Sequence, residues 1–218
     1  MIEKDYTPAL GYSFLTPFYD LMVGLLTREN TWRSKIIEYL NPVSGERILD
    51  VGCGTGSLIL KIKRSVGDVD MHGIDPDSKV LEIARNKLLK HSLSANLHHG
   101  FLTTEASNKL GLFSKVVSTL VFHQTPLEEK RNLLESVRLI LEKSGTLYIA
   151  DYGEQRSTLM KILFRCVIQA LDGYKDTQAN AEGCIPRLLK EVGFVNVIEI
   201  EAVPTLTGSI SIYTAQNA

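Results

Sequence analysis

The chain is poor in the features that mark a protein for a special environment. Its 218 residues hold only three cysteines, Cys53, Cys166 and Cys184. They are odd in number and widely spaced, with neither a Cys-x-x-Cys pair nor a zinc spacing. A disulfide framework and a zinc ribbon are therefore excluded, and reduced thiols in a cytoplasmic setting are expected. No apolar run reaches the roughly 18 residues of a transmembrane helix, so no stable membrane insertion is expected. The start, Met1-Ile2-Glu3-Lys4-Asp5, lacks the basic segment and apolar run of a signal peptide. A dominant charge is missing too. Lys and Arg number 24 against 25 Asp and Glu, a net charge of −1. That leaves no basic field to attract nucleic acid or an anionic membrane. What is present is ordinary globular composition, 44% hydrophobic and 22% charged, in a length that suits one large domain.

Along the chain the periodicity changes three times. Residues 13–26 are apolar and aromatic but interrupted by Pro17, which predicts a short broken helix. A helix from Thr31 as cap to Leu40 follows, with Trp32, Ile36, Ile37 and Leu40 on one face. From Arg47 onward, short apolar runs alternate with helical patterns. Strands are expected at 47–51, 69–74, 96–99, 115–120 and 146–150. Helices are expected at 57–65, after Pro76 as a first-turn proline, and after Pro126. Strands alternating with helices imply right-handed crossovers and a parallel sheet. Continuous apolar strands imply burial on both faces. Beyond Asp151 the pattern predicts an apolar helix over 158–171, carrying a narrow polar stripe of Lys161, Arg165 and Gln169. A short helix over 186–192 follows. Last come two β-rich runs joined at Val203-Pro204-Thr205, close enough to form an antiparallel hairpin.

The sharpest motif is Ile48-Leu49-Asp50-Val51-Gly52-Cys53-Gly54-Thr55-Gly56, where a strand hands over to a helix. Glycines there admit unusual torsions and leave room for a ligand against the main chain. The helix start adds unpaired N–H groups that suit an anionic group. A dinucleotide fingerprint, Gly-x-Gly-x-x-Gly, needs its third glycine at position 57, which is Ser57. A phosphate-binding Gly-Lys-Ser/Thr is also missing. The observed form is Asp-x-Gly-x-Gly-x-Gly. The plainer reading, a glycine turn with no ligand, fits poorly with three alternating glycines and an acid behind an apolar strand. Asp75 ends the second strand. Such an acid can accept hydrogen bonds from both ribose hydroxyls of a nucleoside, or can simply cap the helix after it. Beside the glycine loop, ribose binding is the better reading.

Ile48–Gly56, Gly73-Ile-Asp-Pro-Asp77, Lys115–His123 and Leu141–Asp151 together resemble the successive motifs of class I S-adenosylmethionine (SAM)-dependent methyltransferases. Within them the chain is most similar to the branch that includes the ubiquinone/menaquinone C-methyltransferases, with Phe18-Tyr19-Asp20 and His123 in support. The resemblance implies an α/β, Rossmann-like, seven-stranded, mostly parallel sheet with helices on both faces and a C-terminal antiparallel hairpin. It implies one domain over 1–218, with a helical cover at 1–44, a cofactor core at 45–151 and a helical insertion plus hairpin at 152–218. It places SAM, and its product S-adenosylhomocysteine, along Asp50, Gly52, Cys53, Gly54, Thr55, Gly56, Asp75, Pro76, Phe101 and Leu120. Asp50 would orient the ammonium group and Asp75 the ribose. Two departures stand out. His99-Gly100-Phe101-Leu102 lacks the acid that relatives often place after strand three, so Phe101 would pack on the adenine instead. Lys115 stands where many relatives have Asp.

The expected chemistry is methyl transfer to a small, partly apolar acceptor. A base is needed only if that acceptor must lose a proton. His123 is the candidate base, with packing at a strand end as the plainer alternative. Asp151 lies at the carboxyl edge where open sheets bind ligands. Tyr19 could stack near the sulfonium, or merely pack. The sequence shows no metal cluster, since adjacent His98 and His99 on a strand point to opposite faces. The apolar segments at 12–26 and 155–185 are expected to wall the acceptor pocket, unless they serve core packing or a homodimer contact. Two rivals stand beside this reading. One is a SAM-binding protein without turnover. The other is an NAD-dependent oxidoreductase, which Ser57 and the missing Tyr-x-x-x-Lys pair disfavour.

Overall fold

The computed structural model describes residues 26–218. Its elements in chain order begin with α1 (Glu29–Leu40), β1 (Arg47–Val51), α2 (Ser57–Ser65), β2 (Asp70–Asp75) and α3 (Ser78–Leu89). Then come β3 (Asn96–His99), α4 (Thr104–Leu110), β4 (Phe113–Thr119), α5 (Leu127–Ile140) and β5 (Leu141–Tyr152). The cover segment is α6 (Thr158–Phe164), a π turn (Arg165–Gln169) and a last helical turn (Ala170–Asp172). α7 (Tyr174–Ala181), α8 (Cys184–Val192), β6 (Val195–Thr205) and β7 (Gly208–Gln216) complete the chain.

The strands form one seven-stranded sheet in the order β3-β2-β1-β4-β5-β7-β6. β1 pairs in parallel with both β2 and β4, and β4 pairs in parallel with β5. Only β7 runs against its neighbours, β5 and β6. The expected architecture is thus the observed one.

Successive strand residues face opposite sides, and both sides are buried. Leu49, Val116 and Leu147 meet Leu134, Val137 and Ile140 of α5 and Ile185, Leu188 and Leu189 of α8. Ile48, Val117 and Ala150 meet Trp32, Ile36 and Leu40 of α1 and Leu58, Ile59 and Ile62 of α2. Each such Leu or Ile, fully buried, contributes about 1.5–3 kcal/mol. This two-sided burial explains why the strands read as continuous apolar runs.

Several details differ from the sequence expectation. α1 starts at Glu29, behind Arg28 in the left-handed region at φ 53, so Thr31 lies inside the helix. α3 starts two residues after Pro76, because Asp77 is the cap and accepts from Lys79 N–H at 2.8 Å. Its short side chain satisfies helix-start donors that Pro76 could not. The 158–171 helix is broken by its π turn, and α4 and α7 are additional helices. The hairpin turns at Leu206-Thr207, leaving Val203, Pro204 and Thr205 inside β6 and paired with β7. Lys115 has a structural role. Its Nζ lies 2.7 Å from Glu46 and 3.0 Å from the Asn41 carbonyl, tying the base of β4 to the loop before β1. Among the described residues, no helix is long and apolar enough to cross a membrane. The 13–26 helix, for all but its last residue, and Phe18-Tyr19-Asp20 lie outside the described residues.

Candidate active site

The carboxyl ends of β1, β2, β4 and β5 converge on one edge of the sheet, and most of the expected site residues stand there. Gly52, Gly54 and Gly56 all take positive φ, at 72°, 51° and 70°. The reasons differ. A Cβ on Gly52 would lie 2.2 Å from Val121 and one on Gly56 2.9 Å from Ala84, so these two permit close packing. A Cβ on Gly54 would meet nothing within 4 Å. The side-chain position of Gly54 therefore faces open space, which is the room a ligand needs.

Asp50 is fully buried beneath this loop. Among the described residues, neither of its carboxylate oxygens has a hydrogen-bond partner. Burial, aided by the nearby charge of Asp75 and opposed by Arg33, pushes its pKa up to about 7. Buried polar groups are normally paired, so an orphaned carboxylate here signals a partner that arrives from outside.

Asp75 is also buried. One oxygen accepts from Gly54 N–H and the other from Asp77 N–H, each at 2.9 Å. Burial raises its pKa despite these two bonds. Each carboxylate oxygen has more than one lone pair, so capacity for two further donors remains. The same carboxylate thus sets the glycine loop and can receive a diol. Lys87 braces the loop from α3, with Nζ 3.0 Å from Thr55 Oγ1 and 2.8 Å from Ser57 Oγ. The Cys53 thiol is buried and driven far above its ordinary range by burial and by Asp50, which keeps it neutral and inert.

At the next strand ends, Leu120 takes φ 56 and gives its N–H to Ala150. A left-handed Leu is strained by about 1–2 kcal/mol, a cost found where a turn must aim a segment at a site. The chain then makes a 3₁₀ turn, Phe122–Gln124. Asp151 caps it, accepting from Phe122 N–H at 2.6 Å and from His123 N–H at 3.3 Å. Asp151 also faces His123 Nδ1 at 2.9 Å. On the other side of the ring, His123 Nε2 lies 3.5 Å from Asp172. Burial alone would lower the imidazole pKa, but the two carboxylates outweigh it and raise it to about 9. The edge of the ring packs on Tyr152.

Sequence reasoning brought Asp50, the glycine loop, Asp75, Leu120, His123 and Asp151 to one edge. Phe101 stands on the loop after β3, half exposed. His98 is drawn into a stacked pair with His72, Nε2 to Nδ1 at 3.0 Å, while His99 faces the Pro76 carbonyl. Tyr19 lies outside the described residues. Four contributors were missed: Arg33 beside Asp50, Asp172, Lys130 and Asn180. Lys130 is fully buried, with Nζ on the carbonyls of Thr125 and Asp176. Asn180 donates to the Tyr152 carbonyl at 2.9 Å. Their signals in the sequence, single polar residues inside helices, are indistinguishable from those of solvated faces.

Residues 48–145 match a family model described as a methyltransferase domain. A demethylmenaquinone methyltransferase of Thermotoga maritima is 27% identical over 135 residues, 61% of this chain and 56% of that protein. A ubiquinone/menaquinone biosynthesis C-methyltransferase of Erwinia tasmaniensis is 26% identical over 159 residues, 72% of this chain and 60% of that one. The chain thus matches less than two thirds of the length of either relative. Among solved structures, magnesium protoporphyrin IX methyltransferase from Synechocystis, with bound SAM, superposes with a TM-score of 0.66 at 17% identity, over 96% of this chain and 86% of that one. An O-methyltransferase family protein from Burkholderia thailandensis gives 0.70 at 14%, over 93% and 59%. These two share the fold.

Proposed function

We propose that this chain, which carries a methyltransferase domain and resembles the SAM-dependent ubiquinone/menaquinone branch, transfers a methyl group from SAM to a small, partly apolar acceptor. The observation that carries the reading is Asp50. A fully buried carboxylate with no hydrogen-bond partner among the described residues, under a glycine loop with open space at Gly54, fits the ammonium of an amino-acid moiety. Asp75, with lone pairs to spare, fits a ribose diol, and no side chain fills the space beside Gly54. The residues present therefore fit SAM. Asp50 would hold the ammonium, Gly52 to Gly56 the methionine chain, Asp75 and Pro76 the ribose, and Phe101 and Leu120 the adenine.

SAM, when bound, supplies a methyl group already activated on a sulfonium. The protein's share is then orientation and exclusion of water. Ile48, Leu49 and Val51 fix the height of Asp50 by burying β1 on both faces. Lys87 holds the loop above it through Thr55 and Ser57. At the acceptor side stands His123, and its Nε2 is the nitrogen turned toward Asp172 of the cover. It would handle an ionisable acceptor oxygen. Asp151 reaches the acceptor only through His123, as a positioning residue that sets the ring's orientation. Apolar side chains from the cover, Phe164 and Ile168 among them, give the neighbouring wall its character.

Calorimetric titration with SAM, S-adenosylhomocysteine and NAD tests the reading. Both adenosyl compounds should bind and NAD should not. Binding of NAD without SAM would overturn it.

A further inference from the structure

The two carboxylates beside His123 are held differently. Asp151 is immobilised, wholly buried and bonded to the N–H groups of Phe122 and Tyr152 at 2.6 and 2.7 Å. Asp172 belongs to the last turn of the cover segment, its side chain keeps 19% of its surface exposed, and it stands off Nε2 at 3.5 Å. The next residue, Gly173, takes φ 88 and ψ 148, a conformation that breaks the helix. Beyond it the chain is fastened again. Lys130 holds the Asp176 carbonyl at 2.9 Å, and Asn180 holds the Tyr152 carbonyl. Upstream the cover is anchored as well, with Phe164 buried against Tyr152 and Gln169 Nε2 donating to Gln178 Oε1 of α7 at 2.8 Å, so the part that can leave is the exposed turn Ala170–Asp172 before the glycine.

We propose that Asp172 is a latch: its carboxylate occupies the Nε2 face of His123, holds the turn 170–172 shut against the 3₁₀ turn after β4, and must leave before an acceptor oxygen can reach that nitrogen. This rests on the reading of His123 as the acceptor-facing group. Among the described residues, the charged groups acting on the ring are Asp151 from β5 and Asp172 from the cover, with the Tyr152 ring packed against it. Lys130 from α5 faces carbonyl oxygens of the loop and of α7. With a carboxylate at each nitrogen the ring carries both protons, so in the latched state it cannot accept another. An anionic acceptor oxygen, such as a phenolate, enolate or carboxylate, can replace Asp172 with no net proton transfer, because Nε2–H merely exchanges one oxyanion for another.

The test uses the full chain with Asp172→Asn and Asp172→Ala. Amide exchange should quicken about tenfold across 170–172 and stay unchanged in α7, whose ties to Lys130 and Asn180 are intact. The His123 titration, followed by ¹⁵N NMR, should fall by about one unit or more, and added acetate should restore it in Asp172→Ala. SAM affinity should hold within about twofold. Unchanged exchange, or equal loosening of 170–172 and α7, would overturn the latch. 4-Nitrophenolate, read by its visible absorption, separates the two readings. It should bind Asp172→Ala more tightly than the parent, and the gain should vanish when His123→Gln is added. A gain that survives in the double variant refutes His123 as the acceptor-facing group, whatever the exchange data say of the latch.

Discussion

Asp50→Asn should make the unliganded protein more stable and the SAM complex weaker. The parent carboxylate is fully buried without a hydrogen-bond partner among the described residues, and burial raises its pKa from 3.8 to about 7. The sign follows from where the proton is held. In the unfolded chain Asp50 ionises near pH 4, whereas the folded protein keeps it protonated up to about 7. Stability is therefore lost as pH rises from about 4 to about 7 and stays lost above. Three units at about 1.4 kcal/mol each make that loss about 4 kcal/mol. Asparagine removes the charge but leaves an amide short of partners, which costs about 1–3 kcal/mol. The net gain at pH 8 is about 1–3 kcal/mol, or several degrees in a domain of this size. At pH 5 the parent is already neutral and the gain disappears. With SAM present the advantage is offset. The ammonium loses a charge-assisted bond of about 1.5–3 kcal/mol, so affinity falls about ten- to a hundredfold. Melting curves at pH 5 and 8, with and without SAM, read all four states. A variant less stable than the parent at pH 8, or one that binds SAM equally well, refutes the reasoning.

Asp75→Ala should weaken SAM about ten- to a thousandfold by removing up to two charge-assisted bonds, and should also slacken the loop by freeing Gly54 N–H. Asp77→Ala, at the true cap, should cost about 1 kcal/mol of stability and leave SAM affinity alone; the two effects separate in paired melts and calorimetry. Lys130→Met strands the Thr125 and Asp176 carbonyls and should cost about 1–3 kcal/mol in urea unfolding, with little change in SAM binding. The raised pKa of His123, about 9, makes a stabilising contribution that is complete below about 6.5 and disappears as pH rises through 9. His123→Gln should flatten the stability profile across that window.

The strand–helix alternation, the C-terminal hairpin, the glycine loop and its two acids were all legible in order along the chain. These features are local. Apolar runs between turn residues fix strand positions, and two-sided burial in a parallel sheet leaves an unbroken hydrophobic signature. Asp50 and Asp75 were legible because a strand end delivers its last residues to the carboxyl edge whatever surrounds them. Boundaries set by single hydrogen bonds were not. Asp77 rather than Pro76 starts α3 because its side chain reaches a backbone N–H, a choice two adjacent residues leave open until the backbone is built. Lys115 takes its meaning from Glu46, 69 residues away. Asp50 as an orphan, Lys130 buried among carbonyls and Asp172 against His123 are properties of the packed molecule. Burial and charge pairing are set by what the tertiary fold brings alongside, and no spacing in the sequence encodes a neighbour 49 residues distant. The sequence by itself determined the strands and helices in order and brought the glycine loop and its two acids to one edge. The tertiary structure decided which of those groups are left unpaired, which are latched, and therefore which are poised to act.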